Sequence, residues 1–282
     1  MLTWFITGAS RGFGRAVALE ALRRGDRVVA TARSLDALQD LATLDPERVA
    51  IAQLDVTNPH DIASSVKVAK ARFGDIDVLF NNAGIGYFAA VEESDDVEVR
   101  RMMEINVFGL QAITNAWLPS MRARRSGMIL NVSSVGGVRS FPAVGWYNAS
   151  KFAVEGLSEA LAHEGAPLGI RVVLVEPSGF ATDWAGNSAA EVTGAAAIAD
   201  YAQTAGAQRE TFRAGAGKEA GDPTKAARAI VDIARDPHPP QRLPLGNYAY
   251  DGILEKLEAV RKDIAPREKV SRGADRSEAA WA

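Results

Sequence analysis

At 282 residues, with 47% apolar and 24% charged side chains, the chain has the make-up of a globular protein with a real core. Its length fits a single α/β unit. A formal net charge of −3 argues against a nucleic-acid partner, since phosphates require a basic surface. The lack of cysteine excludes disulfides, thiolate catalysis and cysteine-based metal sites.

The chain opens on Leu2–Thr7, a short apolar run that ends at glycine and reads as a first strand rather than a signal peptide. Arg15–Arg24 carries apolar residues at helical spacing and stops at Gly25. Arg27–Thr31 is a strand, Leu35–Leu44 a helix, Val49–Leu54 a strand, and Pro59–Phe73 a helix closed by Gly74. Asp77–Phe80 is a fourth strand, and Asp95–Met121 is one long helical pattern. Met128–Val132 and Arg171–Val175 are further buried strands, with helix Trp146–Glu164 between them.

Past Pro177 the pattern weakens. Residues 185–216 are rich in small residues and read as a lid. Pro223–Ala234 is helical again, and Arg242–Leu245 adds an edge strand. The sequence predicts one domain over residues 1–265, followed by a polar tail over 266–282. No run of about 18 apolar residues occurs, so a cytoplasmic protein without a membrane span is expected. Short apolar strands separated by helices imply a doubly wound parallel sheet whose ligand sits at the carboxyl ends of the strands.

Thr7–Gly14 (TGASRGFG) joins the first strand to the first helix. Its spacing, Gly-x-x-x-Gly-x-Gly, permits a tight turn and close backbone approach to a pyrophosphate that faces a helix N-terminus. Gly8, Ser10, Arg11, Gly12, Phe13 and Gly14 are therefore candidate cofactor residues. Thr31-Ala32-Arg33-Ser34 ends the second strand with no carboxylate. Arg33 is a permanent planar cation suited to a 2′-phosphate, so NADP(H) is preferred over NAD(H). Asp55-Val56 follows the third strand; its carboxylate either accepts from the adenine amino group or caps the next helix.

Tyr147 and Lys151 stand four apart on one helical face. A neighbouring cation favours the phenolate, which suits the tyrosine to acid or base work. The pair is framed by Ser133-Ser134 at a strand end and by Asn81-Asn82-Ala83-Gly84 after the fourth strand. Asn106 lies inside a helix, where asparagine is poorly placed unless its side chain is used.

Together these segments resemble the short-chain dehydrogenase/reductase family over about Leu2 to Trp184, looking most like its 17β-hydroxysteroid and retinol dehydrogenase branch. The resemblance implies a single-domain Rossmann fold of about seven strands and an NADP(H)-dependent interconversion of a ketone or aldehyde with an alcohol. It implies a catalytic tetrad of Asn106, Ser134, Tyr147 and Lys151, with no metal. Ser134 is favoured over Ser133 because the family serine lies thirteen positions before the tyrosine. Tyr147 would exchange the proton, Lys151 would hold the nicotinamide ribose and lower the tyrosine pKa, Asn106 would position a water, and Ser134 would orient the substrate oxygen.

Asn82, Ala83, Gly84, Pro177 and Thr182 would touch the cofactor. One departure is Ser178, where the family has glycine after Pro177; altered loop geometry or weaker cofactor binding is expected. Phe141, Trp146, Phe180 and Trp184 are candidate substrate walls. The family further implies a homodimer or homotetramer built through the two long helices. The alternative is a non-catalytic NADP(H)-binding sensor of the same fold. An epimerase or dehydratase is disfavoured by the glycine spacing.

Overall fold

In the computed structural model, which describes residues 1–182, 184–186, 189–192 and 196–275, the apolar runs pair into one sheet. Its strands are β1 (Thr3–Ile6), β2 (Arg27–Ala32), β3 (Val49–Gln53), β4 (Val78–Asn81), β6 (Gly127–Val132), β7 (Ile170–Pro177) and β9 (Arg242–Leu245). All pair in parallel, in the order β3-β2-β1-β4-β6-β7-β9. The order reverses between β1 and β4, and that reversal opens a crevice at their carboxyl ends.

Parallel strands are covered on both faces, so alternate residues bury on opposite sides. Trp4 and Ile6 join Val28, Phe80 and Ile230 beneath helices α1 (Gly12–Arg23) and α8 (Pro223–Ile233). Phe5 points the other way, into a cluster with Leu79, Ile113, Trp117 and Ile129. That face is covered by α3 (Pro59–Phe73), α5 (Leu110–Arg124) and α6 (Gly145–Gly165). Leucine and valine runs of this length lose too much to water to stand outside such a sandwich.

The region expected as one helix, Asp95–Met121, divides into α4 (Asp96–Met103), a π-helical turn at Glu104–Gly109, and α5. The helix expected over Leu35–Leu44 begins as a 3₁₀ turn and becomes α2 (Gln39–Leu44). Two elements carried no clear signal in the sequence. A two-stranded sheet pairs β5 (Gly86–Phe88) with β8 (Ala189–Glu191), and α9 (Asn247–Ile264) follows β9. The lid region contains α7 (Ala207–Gly215); its residues 187–188 and 193–195 lie outside the described residues. Of the expected tail, residues 268–272 form α10 (Glu268–Arg272) and 276–282 lie outside the described residues. No helix among the described residues is long and apolar enough to cross a membrane.

Asp26 fastens the layers at the amino end of the sheet. Fully buried, it accepts from the Leu2 amide (2.8 Å), from Trp4 Nε1 (2.9 Å) and from Arg235 at the end of α8. Asp26→Ala strands a buried indole N–H and a guanidinium. It should lower unfolding free energy by about 3 kcal/mol, read from chemical denaturation; a change below a few tenths would refute this anchoring.

Candidate active site

The turn after β1 is built from backbone that side chains would block. Gly8 and Gly12 hold φ of +66° and +56°, the left-handed region that glycine enters without strain. A Cβ on Gly14 would stand 2.3 Å from the Gly8 carbonyl oxygen and 2.6 Å from Asn82 Nδ2. Asn82 braces the turn from β4 by donating to the carbonyls of Thr7 (2.9 Å) and Gly8 (3.1 Å). Thr7 Oγ1 accepts from the amides of Asn82 and Ala83, both at 2.9 Å. Helix α1 then starts at Gly12 with no acidic residue in its first turn. Such a cradle, small and fronted by a helix N-terminus, fits a pyrophosphate.

The other expected cofactor residues surround this cradle. Arg33 is exposed just past β2. Asp55 accepts from the amide (2.9 Å) and hydroxyl (2.7 Å) of Thr57. Burial pushes its carboxyl up, but the Thr57 bonds and the charges of Arg33 and Arg101 leave it below the usual range. The cap of α3 is Asn58, not Asp55. Val56 packs against Gly109, where a Cβ would come within 2.7 Å of its methyl. Thr182 lies over the turn, its methyl 3.8 Å from the Cβ position of Gly12. The Phe13 ring packs edge-on against Phe180 at 5.0 Å. Ser178 donates its amide to the Leu245 carbonyl (3.0 Å). Its hydroxyl fills the space a Cβ would need on Gly246, at 2.4 Å.

Across the crevice, the first turn of α6 presents Tyr147, 8% exposed, and Lys151, 5% exposed. The Tyr147 ring edge and Ser134 Oγ meet over Gly136, where a Cβ would stand 3.5 Å from Tyr147 Cε1 and 3.3 Å from Ser134 Oγ, and the Ser134 side chain favours ionisation of the phenol. Ser134 Oγ also accepts from the Gly136 amide at 3.0 Å, whereas Ser133 turns away and donates to Glu155. Lys151 Nζ donates to the Val132 carbonyl (2.8 Å) and lies 5.7 Å from the Tyr147 ring centre. Beneath it, a Cβ on Gly84 would stand 3.2 Å from Asn106 Oδ1 and 3.8 Å from Lys151 Nζ. Asn106 occupies the π-helical turn, a wider coil that often marks functional positions. Its amide is spent on protein: it accepts from the Ile85 amide (2.9 Å) and donates to the Ile85 carbonyl (2.9 Å) and Ser150 Oγ (3.1 Å).

The electrostatics differ from the sequence expectation in one respect. Burial pushes the Tyr147 phenol up to about 12, and the Ser134 side chain opposes it only in part. Burial likewise pushes the Lys151 ammonium down to about 8, against the charge of Glu155. Desolvation outweighs the cation, so near neutral pH the phenol keeps its proton.

Of the four expected substrate walls, Trp184 and Phe141 cluster with Tyr147. The Trp184 and Tyr147 ring centres are 4.9 Å apart. Phe180 packs elsewhere, beside a cavity of about 620 Å³ shared with Tyr248. Trp146 faces the outer surface next to Phe108. Phe88 and Phe212, which were not foreseen, complete the aromatic cover. Glu155 was also missed, although Tyr147, Lys151 and Glu155 recur every fourth residue on one face.

The sequence matches the family model for short chain dehydrogenase over residues 3–193. It is 41% identical over 244 residues to Oxidoreductase BOA17 of Botryotinia fuckeliana, covering 86% of this chain and 88% of that protein. A short-chain dehydrogenase from Streptomyces avermitilis superposes with a TM-score of 0.90 at 42% identity, covering 98% and 100% of the two chains. An alcohol dehydrogenase from Thermococcus sibiricus, complexed with 5-hydroxy-NADP, matches at 28% identity and a TM-score of 0.71, covering 87% and 96%. A Burkholderia phymatum short chain dehydrogenase/reductase in complex with NAD matches at 25% and 0.80, covering 94% and 95%.

The lysine makes a pH-dependent demand on stability. Its folded value of about 8 lies below the usual 10.5, so between these limits the unfolded chain binds more protons and stability rises with pH. Below 8 the full cost of burying the ammonium is present. The parent should therefore gain about 3 kcal/mol of stability relative to Lys151→Met from pH 8 to 10.5 in paired denaturation curves. A constant difference would show that the lysine is not desolvated.

Proposed function

The chain belongs to the short-chain dehydrogenase family and is an oxidoreductase acting on CH–OH or carbonyl groups; from that premise we propose that it is an NADPH-dependent reductase of apolar ketones or aldehydes. The observation that carries this reading is the buried Tyr147 phenol beside the Ser134 side chain, with Lys151 one helical turn further on, across the strand-end crevice from the glycine turn.

The turn at Gly8, Ser10, Arg11, Gly12, Phe13 and Gly14 takes the pyrophosphate, Arg33 the 2′-phosphate and Asp55-Val56 the adenine end. Asn82, Ala83, Gly84, Pro177 and Thr182 form the nicotinamide end, and Lys151 holds its ribose. Support for the phosphate preference is chemical: β2 ends without a carboxylate, and Arg33 stands exposed beside the crevice.

The bound cofactor supplies hydride to the carbonyl carbon. Tyr147 gives its proton to the carbonyl oxygen, and Ser134 Oγ fixes that oxygen by a second hydrogen bond. The raised phenol value makes Tyr147 an acid at neutral pH, the form a reduction consumes. Lys151 stabilises the tyrosinate left behind and returns a proton to it. Asn106, through Ile85 and Ser150, ties the floor to α6. Trp184, Phe141, Phe88 and Phe212 exclude water and favour an apolar substrate. Exposed Phe108, beside Trp146, and exposed Phe152 on α6 support self-association through the long helices.

Tyr147→Phe should lower kcat for ketone reduction by about 10²- to 10⁴-fold while NADPH still quenches protein fluorescence. Undiminished turnover would overturn the mechanism, and tight binding without turnover in the parent would favour a sensor. Arg33→Ala should raise KM for NADPH by about tenfold and leave KM for NADH in place. Because reduction needs protonated Lys151, kcat/KM should fall as pH rises through about 8.

A further inference from the structure

Behind the tyrosine–lysine pair lies a buried charge cluster that the mechanism above does not use. Glu155, one helical turn beyond Lys151, is 6% exposed, and Glu176 on β7 is fully buried. Glu155 accepts from Ser133 Oγ through one carboxyl oxygen and pairs with Arg242 Nη1 through the other. The same guanidinium nitrogen reaches Glu176 Oε1 at 2.7 Å, so both carboxyls crowd one nitrogen. Glu176 Oε2 has no partner among the described residues.

Two buried carboxyls thus confront one guanidinium, and the ammonium of Lys151 stands one helical turn from Glu155. Burial drives both acids up, Glu176 to about 7 with the like charge of Glu155 adding to it. Like charges this close share a proton rather than ionise together. Ser133 and Arg242 both contact Glu155 and favour its ionised form. Glu176 therefore holds the shared proton up to about 7, and Glu155 keeps its negative charge next to the lysine.

We propose that Glu155 is a positioning residue for the reaction: its carboxylate, fixed by Ser133 and by Arg242 of β9, determines whether Lys151 carries a proton while Tyr147 acts. The proposal rests on the reading of Lys151 given above. Facing Lys151 are Tyr147 and Glu155 from its own helix, the Val132 carbonyl from β6, and Asn106 across Gly84 from the π-helical turn. Glu104 in that turn is exposed. Facing Glu155 are Ser133, Glu176 and Arg242, with Glu159 reaching Arg242 from the rim at 3.3 Å. Arg139, past the neighbouring 3₁₀ turn, is engaged by Glu255 of α9 at 2.9 Å. Among the described residues, Arg242 is the one cation hydrogen-bonded to Glu155.

The test combines a rate profile with a direct titration. In Glu155→Gln, the alkaline fall of kcat/KM should move to lower pH by about one pH unit. Glu155→Asp should restore it, since the charge returns although the packing is altered. Glu176→Gln leaves Glu155 ionised and should produce no downward move; a move as large as that of Glu155→Gln would overturn the assignment to Glu155. Ser133→Ala, a gentler change if Glu155→Gln fails to fold, should move the fall in the same direction by less. In parallel, NMR of protein carrying ¹³C-labelled lysine follows the Lys151 side chain, assigned with Lys151→Met. A Lys151 resonance that titrates at the parent pH in Glu155→Gln overturns the proposal. A resonance that moves while the rate profile stays fixed upholds the control of charge by Glu155 and counts instead against the reductase reading.

Discussion

The interaction on which the site depends is the desolvation of an ammonium and a phenol on one turn of α6. Water would hold Lys151 charged and Tyr147 ready to ionise nearer its ordinary value; burial removes that help from both. What the protein returns is a small set of fixed dipoles and charges. These are the Val132 carbonyl for the lysine, Ser134 for the phenol, and the Glu155 carboxylate one turn further on. Sheet and helix must hold these partners in place, because a flexible surround would let water re-enter and cancel the perturbation. The sheet supplies two of them directly: Val132 ends β6, and Ser134 follows it in the next loop.

The same rule of close approach governs the opposite wall. Gly14, Gly8 and Asn82 are packed so tightly that no side chain fits at Gly14, and Asn82 reaches from β4 to hold carbonyls at the end of β1. The strands where the sheet order reverses are therefore stitched together where a ligand would enter. Ser178 shows how a departure is absorbed. Its side chain lies against Gly246, whose missing Cβ makes the room, so the added hydroxyl is taken up between β7 and β9. The consequence expected from sequence, a disturbed cofactor loop, assumed that the hydroxyl faced the crevice.

Elements set by periodic burial or by glycine and proline stops were legible in the sequence. Pro59–Phe73 and Arg242–Leu245 fall where pattern and stop signals put them. The fold class follows from the alternation of strands and helices; Tyr147 and Lys151 were singled out by type and spacing, and Ser134 over Ser133 by the family resemblance. The π-helical turn was not legible. Its extra residue changes no side-chain periodicity over so short a run, and only the misplaced asparagine at 106 hinted at it. Strands β5 and β8 are three residues each, too short to show alternation, and they pair across about a hundred positions. Charge state was least legible of all. Four-residue spacing announces that Lys151 is beside Tyr147, but which effect wins depends on how much water each has lost.

The aromatic cover explains why that loss is so complete. Trp184 lies on Tyr147, Phe88 packs against both Trp184 and Phe212, and Arg213 stands 4.9 Å over the Phe88 ring. Arg213 also donates to the carbonyls of Ala185, Gly186 and Ala189. Glu93, from the loop after β5, accepts from the amides of Ala90 and Ile198. The cover is thus held by its apolar cluster and by two charged side chains gripping backbone groups. Hydrogen bonds to charged groups are strong but exchangeable with water. A cover so built keeps water from the pair, which is 8% and 5% exposed. The low-polarity surroundings of Tyr147 and Lys151 are thus built into the folded chain itself.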